Sequence, residues 1–222
     1  MYTMDDEIYA SGTLGDAFMI LLKVIGSPVR KINHFSKHKS VYPLIKQIYS
    51  LCPHLEIVML ERKKAGVYVP GHIRPGETYT AHPSVYLGEH YKGDLPRNYS
   101  VLQIKGGAAP GRRRPVRPGV SAKDIARIDK SQPLVLIGTD NLSLETLQGY
   151  DILDLRNKTS LLECLSIIAS AQSFHGPQGL MAFFALSQKV PSYVYLKTDA
   201  DRVAVNARIK KVTEWKDYVC YL

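Results

Sequence analysis

The chain contains little cysteine and no long apolar run. Its three cysteines, Cys52, Cys164 and Cys220, lie far apart in 222 residues. An odd and scattered set matches no metal-ligand spacing and argues against a disulfide framework, so a reducing cytosol is expected. No apolar stretch approaches the ~20 residues that cross a bilayer. The N-terminal segment MYTMDDEIYA is acidic, unlike a signal peptide. These absences predict a cytoplasmic protein.

Charge is the second feature that limits the possible functions. The chain carries 29 Lys and Arg against 20 Asp and Glu, a formal net charge of +9, with 45% hydrophobic and 22% charged residues. That composition is typical of a folded globular protein. The basic excess peaks at 30–39 and 105–117. It indicates either solvated faces or a polyanionic partner such as nucleic acid, lipopolysaccharide or a membrane surface.

Strand-like and helix-like segments alternate twice along the chain, which predicts an α/β fold. The main predicted strands follow in this order: 7–10, 31–35, 56–60, 101–104, 134–138 and, last, 192–196. A final helix is expected over 201–212. Between the halves, the segment 62–99 is rich in Gly, Pro, His and Tyr and lacks periodicity, so it is expected to be functional or a linker. We therefore predict two domains, 1–98 and 99–222.

The segment 151–186 is the most informative part of the chain. It predicts a strand, a helix capped by Ser160 with Glu163 three residues on, a very short strand, a Gly-Pro-Gln-Gly turn and an apolar helix. Gly176 and Gly179 flank the start of that last helix. Its free backbone N–H groups would suit a phosphate or diphosphate. Ordinary strand-to-helix turns in α/β proteins have the same pattern, so the turn alone is weak evidence.

The order of the pieces in this segment resembles the heptosyltransferase-like glycosyltransferases (glycosyltransferase family 9). The features that carry the resemblance are Asp154-Leu155, Thr159-Ser160 and the turn 176–179. The resemblance implies an α/β, GT-B-like fold of two small Rossmann-like domains facing a cleft. The shortened N-terminal domain would bind the acceptor and the C-terminal domain the nucleotide-sugar. The family usually has Asp-Ser/Thr-Gly within the turn and a His after it, whereas this chain has Gln178-Gly179 and a His before it.

The first predicted turn, SGTLGDA, joins a strand to a helix. In the resembling family an aspartate at the same Gly-Asp step is the catalytic base, and this role falls on Asp16. A carboxylate that takes the proton of a sugar hydroxyl eases attack on an anomeric carbon. Judged from the residues alone, Asp16 fits a helix cap that complements the helix dipole better than a base.

The resemblance also implies donor and acceptor residues. The loop GGAAPGR matches a family segment whose basic residue meets the donor phosphates. An arginine there can clamp a diphosphate, which implies a reaction without a metal and without a cofactor beyond the nucleotide-sugar. The predicted donor-binding residues are Gly107, Arg112, Gly176, Pro177, Gln178 and Gly179. Thr139 and Asp140 join them because they follow a predicted strand at the edge where open α/β sheets bind ligands, and they fit nucleotide base or ribose contacts or, at least as well, an ordinary loop. The predicted acceptor-binding residues are Thr13, Gly15, Lys37, His38, Tyr79 and Arg114. The Asp-Ala-Asp at 199–201 fits an acidic helix cap better than a metal site.

The implied function is inverting transfer of a sugar from a nucleotide-sugar to a hydroxyl, in the cytoplasm of a bacterium or a phage-infected host. Family precedent indicates a lipopolysaccharide core or a related glycan as acceptor. The basic, Tyr-rich first half slightly favours hydroxymethylated pyrimidines in phage-type DNA. Two alternatives remain. One is a non-catalytic nucleic-acid-binding protein on a degenerate GT-B scaffold, and the other is a sugar-nucleotide epimerase.

Overall fold

A computed structural model of the chain describes residues 6–74, 77–87, 91–106, 119–140 and 143–222. Within these ranges the strands form two separate parallel sheets, one of three strands and one of six. The α/β fold with parallel sheets predicted from the alternating pattern is confirmed. Among the described residues, no helix is both long enough and apolar enough to span a bilayer.

The smaller sheet is built from the first 60 residues and has the order β1-β2-β3. Its strands are β1 (Glu7–Ser11), β2 (Lys31–Phe35) and β3 (Glu56–Met59). Helix α1 (Leu14–Val24) joins the first two strands, and α2 (Tyr42–Ser50), with a proline in its first turn, joins the second pair. Parallel strands need such helical crossovers, and the strand and helix patterns of this stretch predict them correctly.

The segment after β3 contains no helix or strand in its described parts, 61–74, 77–87 and 91–99, apart from an isolated parallel bridge between Val69 and Ala10. It is nevertheless anchored along its length. The Thr80 amide donates to the Leu22 carbonyl at 2.7 Å, and the Tyr86 amide donates to the Leu51 carbonyl at 2.9 Å. The segment therefore lies as an ordered strap over α1 and the end of α2, and the described parts include no hairpin.

The larger sheet has the order β6-β5-β4-β7-β8-β9, and all its strands are parallel. The strands are β4 (Ser100–Gln103), β5 (Leu134–Ile137), β6 (Ile152–Asp154), β7 (Ser173–Pro177), β8 (Ser192–Tyr195) and β9 (Val219–Tyr221). Counted from β4, this is the order 3-2-1-4-5-6 of doubly wound nucleotide-binding sheets. Successive strands are added on one side of β4 as far as β6 and on its other side from β7 onward. The point between β4 and β7, where the side of addition changes, is where such folds bind ligands.

Four helices accompany this sheet: α3 (Ala122–Ile125), α4 (Leu161–Ala169), α5 (Leu180–Ser187) and α6 (Asp199–Ala207). The predicted capping box of α4 is present, because the Ser160 amide donates to Glu163 Oε2 at 2.7 Å and the Glu163 amide to Ser160 Oγ at 3.3 Å. Asp201 caps α6 by accepting from Thr198 Oγ1 at 2.9 Å. The acidic pair at 199–201 is thus a helix N-terminus, as predicted.

Three expectations about the second half are wrong. Gly176 and Pro177 belong to β7 and not to a turn, because both pair with β8. Proline is tolerated there since the pairing of β7 with β4 has already ended at His175. The strand at 192–196 is not the last, because β9 follows it. The expected helix over 201–212 ends at Ala207 and gives way to short 3-10 turns.

The two halves share one hydrophobic core. Phe18 of α1 packs edge-to-face on Phe184 of α5, with ring centroids 5.8 Å apart. The fully buried Trp215 stacks on Phe183 and donates from Nε1 to the Ala81 carbonyl at 3.0 Å. The C-terminal segment therefore ties the irregular strap of the first half to a helix of the second half. The predicted division into domains 1–98 and 99–222 stays a prediction.

Candidate functional site

Asp16 lies in the first turn of α1, at the carboxyl end of the smaller sheet. Both its oxygens accept hydrogen bonds. Oδ2 accepts from the Thr13 amide at 2.9 Å and from Thr13 Oγ1 at 3.2 Å, while Oδ1 accepts from Arg208 Nη2 at 2.5 Å. The carboxylate thus caps its helix and forms an ion pair with a residue from the other end of the chain. The Asp16 side chain is 18% exposed, and Asp16 is one of the residues that line an adjacent cavity.

Backbone packs directly on Asp16 from two sides. A Cβ added to Gly12 or to Gly71 would lie 2.4 Å from Asp16 Cβ, which no real side chain tolerates. Gly12 also has φ of +141°, a conformation that L side chains rarely adopt. The strap at Gly71 is held by Lys23 Nζ, which donates to the Pro70 carbonyl at 2.9 Å, and by Arg208 Nε, which donates to the Gly71 carbonyl at 3.2 Å. These contacts fix the position of the carboxylate.

A cavity of about 250 Å³ opens beside Asp16 at the carboxyl ends of β1 and β2. Its wall includes Thr13, Lys37, His38 and Lys63. Lys37 and Lys63 are exposed, and neither has an ion pair with another described residue. The structure therefore brings the predicted acceptor residues Thr13, Lys37 and His38 together with Asp16 in one basic pocket.

A buried histidine lies behind Gly12, one of the residues that line this pocket. His34 Nδ1 lies 2.8 Å from the Tyr49 hydroxyl, and its Nε2 lies 3.3 Å from the Gly12 carbonyl oxygen. Burial lowers the pKa of His34, against the opposing effects of the Gly12 carbonyl and the Asp16 charge. A neutral His34 therefore supports the Gly12 turn from below.

The larger sheet has its switch point between the carboxyl ends of β4 and β7. A Cβ added to Gly106, after β4, would lie 3.4 Å from Pro177 Cγ at the end of β7. One added to Gly176 would lie 2.7 Å from Phe174 Cζ, so Gly176 is required for packing. Gln178 is buried, and Gly179 is the N-cap residue of α5. Apart from its chain neighbours, no atom of the described residues comes within 4 Å of a Cβ added to Gly179, and backbone N–H groups at a helix N-terminus suit an anion.

The two carboxyl edges meet at the contact of α1 with α5. A Cβ added to Gly15 would lie 3.2 Å from Phe183 Cε2 and 3.9 Å from the backbone nitrogen of Leu180, the first residue of α5. Gly15 therefore allows close packing of the two helices and does not line the cavity. Asp16 is the next residue of α1, so the helix turn that carries the carboxylate packs on the start of α5.

Thr139 and Asp140 follow β5 at the same edge of the larger sheet. Thr139 is exposed, whereas Asp140 is buried and its Oδ1 accepts from Arg156 Nη1 at 2.9 Å. Arg156 also donates to Asp154 Oδ2 at 2.8 Å, which lowers the pKa of Asp154. Asp140 is thus part of a structural ion-pair cluster, and Thr139 is the one of the two that faces solvent.

The remaining predicted residues fall elsewhere. Tyr79 is not part of the pocket wall, because its hydroxyl donates to Glu214 Oε2 at 2.8 Å. Gly107, Arg112 and Arg114 lie outside the described residues. Sequence reasoning missed Arg208, Gly71 and Lys63, which all contact Asp16 or line its cavity. Lys63 carried a weak signal as part of a basic run, whereas the other two carried none. Among the described residues, no group of His, Cys, Asp or Glu could hold a metal ion.

Comparisons with solved structures define the fold. A family 9 glycosyl transferase from Veillonella parvula superimposes with a TM-score of 0.61 and 11% identity, covering 100% of this chain and 87% of that one. The E. coli ADP-heptose LPS heptosyltransferase II superimposes with a TM-score of 0.54 and 12% identity, covering 97% and 89%. The fold is that of the GT-B glycosyltransferases. The resemblance predicted from 151–186 is thereby confirmed at the level of the fold. No protein-family model and no curated protein sequence matches the chain.

Proposed function

We propose that the protein is an inverting glycosyltransferase that moves a sugar from a nucleotide-sugar to a hydroxyl of a polyanionic acceptor. One observation carries the proposal: the first turn of α1, which contains Asp16, packs through Gly15 on the first residues of α5, so the edges of the two sheets meet there. A carboxylate and a diphosphate-binding helix end are the two parts that such a transfer needs. The GT-B fold of the neighbours supports the same reaction class.

The chemistry follows from these two parts. Asp16 takes the proton of the acceptor hydroxyl. At the same time the hydroxyl oxygen of the acceptor forms a bond to the anomeric carbon, from the face opposite the diphosphate. The bond from the anomeric carbon to the phosphate oxygen breaks, and its electron pair leaves with the nucleoside diphosphate. The N–H groups of α5 and the guanidinium of Arg112 offset that charge, so the transfer proceeds without a metal.

The donor is proposed to lie across the switch point of the larger sheet. Gln178 and Gly179 meet its diphosphate there, and Thr139 meets its ribose or base. The printed name of one structural neighbour, ADP-heptose LPS heptosyltransferase, makes ADP-heptose the first donor to test. Thr139→Ala is expected to raise the donor KM and to leave kcat near its original value.

The acceptor is proposed to bind in the basic pocket beside Asp16. Lys37, His38 and Lys63 surround the cavity, and they suit an acceptor with several negative charges. Hydroxymethylated pyrimidines in phage-type DNA are the favoured acceptor, since duplex phosphates would meet these lysines and a flipped base would bring its hydroxyl to Asp16. A lipopolysaccharide core or a related glycan is the alternative. Either acceptor is consistent with a cytoplasmic enzyme.

The experiment is nucleotide release from a panel of nucleotide-sugars, with hydroxymethylated DNA and lipopolysaccharide core as acceptors and EDTA present in a parallel series. We expect release that requires one acceptor, persists in EDTA and falls about 100-fold or more in Asp16→Asn. Release without any acceptor would instead favour hydrolysis or an epimerase. Full activity in Asp16→Asn would refute the assignment of Asp16 as base.

A second candidate function has a specific observation in its favour. Both oxygens of Asp16 are already hydrogen-bonded, to Thr13 and Arg208, as they would be in a purely structural cap. A non-catalytic nucleic-acid-binding protein on this scaffold would retain that arrangement. Salt-dependent DNA binding that is unchanged in Asp16→Asn, with no nucleotide release from any donor, would establish this alternative.

A further inference from the structure

Arg208 spans the two halves of the protein at the candidate site. It is the residue after α6, and its side chain is 29% exposed. The guanidinium makes a fork: Nη2 donates to Asp16 Oδ1 at 2.5 Å and Nε donates to the Gly71 carbonyl at 3.2 Å. One planar group therefore holds the carboxylate and the strap that packs on it, and both partners are more than 130 residues away in sequence.

The fork completes a two-point hold on the carboxylate. Thr13 donates to Oδ2 from within the same turn and leaves Oδ1 to a partner from outside that turn. Arg208 fixes the other oxygen and so sets the plane of the group. Each carboxylate oxygen can accept two hydrogen bonds, so Oδ1 keeps one acceptor site. The open edge of the carboxylate adjoins the pocket that contains Lys37 and Lys63.

We propose that Arg208 is a positioning residue for the transfer reaction, one that orients Asp16 toward the acceptor hydroxyl. The inference rests on the proposed function and assigns the site a further residue. Partly exposed ion pairs contribute little to stability, so the consequence of this one is geometric. Because Arg208 belongs to the C-terminal half and Asp16 to the N-terminal half, the base is oriented only while the two halves are packed together.

The test compares Arg208→Met and Arg208→Lys with the wild type in the nucleotide-release assay. Arg202→Met is the matched control, because Arg202 lies on α6, the helix that ends just before Arg208, with its side chain 70% exposed. We expect kcat to fall about tenfold to 100-fold in Arg208→Met, since small misplacements of a catalytic group cost factors of this size. The donor KM should stay within about twofold of the wild type. Arg208→Lys should recover part of the loss, because an ammonium can reach Asp16 but cannot form the fork.

A merely structural role would give a different pattern. It would lower the melting temperature and, through a smaller folded fraction, the apparent kcat at an unchanged KM. Thermal melts of all variants are therefore recorded beside the kinetics, and kcat is expressed per folded molecule. A kcat for Arg208→Met equal to that of Arg202→Met overturns the proposal. So does a raised donor KM at unchanged kcat, which would make Arg208 a donor-binding residue. If the wild type is active, Asp16→Asn is inactive and Arg208→Met has normal activity, the proposed function stands and only the role of Arg208 is refuted. An inactive wild type refutes the proposed function as well.

Discussion

The three-stranded sheet and the six-stranded sheet follow the same parallel order outward from their first strand, but only the larger sheet has strands on both sides of that strand. Among the described residues, only the isolated bridge at Val69 lies beside β1 on that side, where the larger sheet has β7 beside β4. The irregular strap thus takes the place of half a sheet. Its contacts to α1 and to Trp215 cover the smaller sheet on the side where flanking strands and helices cover the larger one.

The comparison shows how the smaller sheet is supported. The segments after its strands carry Thr13, Asp16, Lys37 and His38, which line one cavity. Its helix α1 packs on α5 of the other half. We infer that the first half depends on the second for its stability, and the predictions below compare the two halves.

The largest expected effect is at Trp215, where the C-terminal segment meets both the strap and α5. Trp215→Ala removes a fully buried indole and leaves the Ala81 carbonyl without its donor. We expect a loss of about 3–5 kcal/mol in the free energy of unfolding, measured by urea titration. Because the core is continuous, a single transition should persist at a lower midpoint.

Amide hydrogen exchange compares the stability of the strap with that of the larger sheet in the same variant. In Trp215→Ala, protection should fall first in the strap around Thr80, and amides of the larger sheet should change less. Val203→Ala is the control, since Val203 is 67% exposed. Two separate unfolding transitions, with the smaller sheet stable on its own, would contradict the dependence inferred here.

The next effect concerns the buried histidines, one in each sheet. His175 in β7 stacks on Tyr193 with ring centroids 4.4 Å apart, and burial lowers its pKa from 6.5 to about 4. The unfolded chain therefore binds this proton first as the pH falls below 6.5, so stability declines from there and the loss is complete below pH 4. The shift corresponds to about 3 kcal/mol at most.

The measurement is urea unfolding at pH 7.5 and at pH 4.5, in the wild type and in His175→Gln. The wild type should lose much more stability than the variant between these two pH values. His34→Gln extends the comparison to the smaller sheet, because burial lowers the pKa of His34 in the same direction. An acid sensitivity unchanged by His175→Gln would show that other groups govern it.

The sequence predicted an element well where the interactions that define it join residues close together in the chain. The box of Ser160 and Glu163 marked the start of α4, and the acidic residues after Thr198 marked α6, because each involves hydrogen bonds three residues apart. The strand β9 escaped prediction because three residues carry no usable alternation and gain their place only by pairing with β8. Pro177 was assigned to a turn because propensity cannot show that β7 pairs on one side there.

The site itself was predictable only in part. Asp16, Lys37 and His38 follow strands, and the carboxyl ends of parallel strands meet at one edge, so their proximity follows from the alternating pattern. Arg208 contacts Asp16 across 192 residues, and no pattern in the sequence joins them. Gly71 looks like an ordinary loop glycine. Its role comes from a backbone approach that exists only once the strap has packed on α1.

The smallest expected effect concerns which half binds a polyanion. Lys37→Ala with Lys63→Ala removes two exposed cations from the pocket beside Asp16, and each lost phosphate contact should lower the slope of log affinity against log salt by about 0.9. We therefore expect a slope about 2 units shallower for duplex DNA, with affinity roughly tenfold weaker near physiological salt. Lys211→Ala with Lys216→Ala is the charge-matched control, with both lysines exposed near the C-terminus. Equal losses in the two pairs would mean that net charge alone attracts DNA. A loss confined to the first pair would place the anion contacts at the pocket beside Asp16, at the carboxyl edge of the smaller sheet.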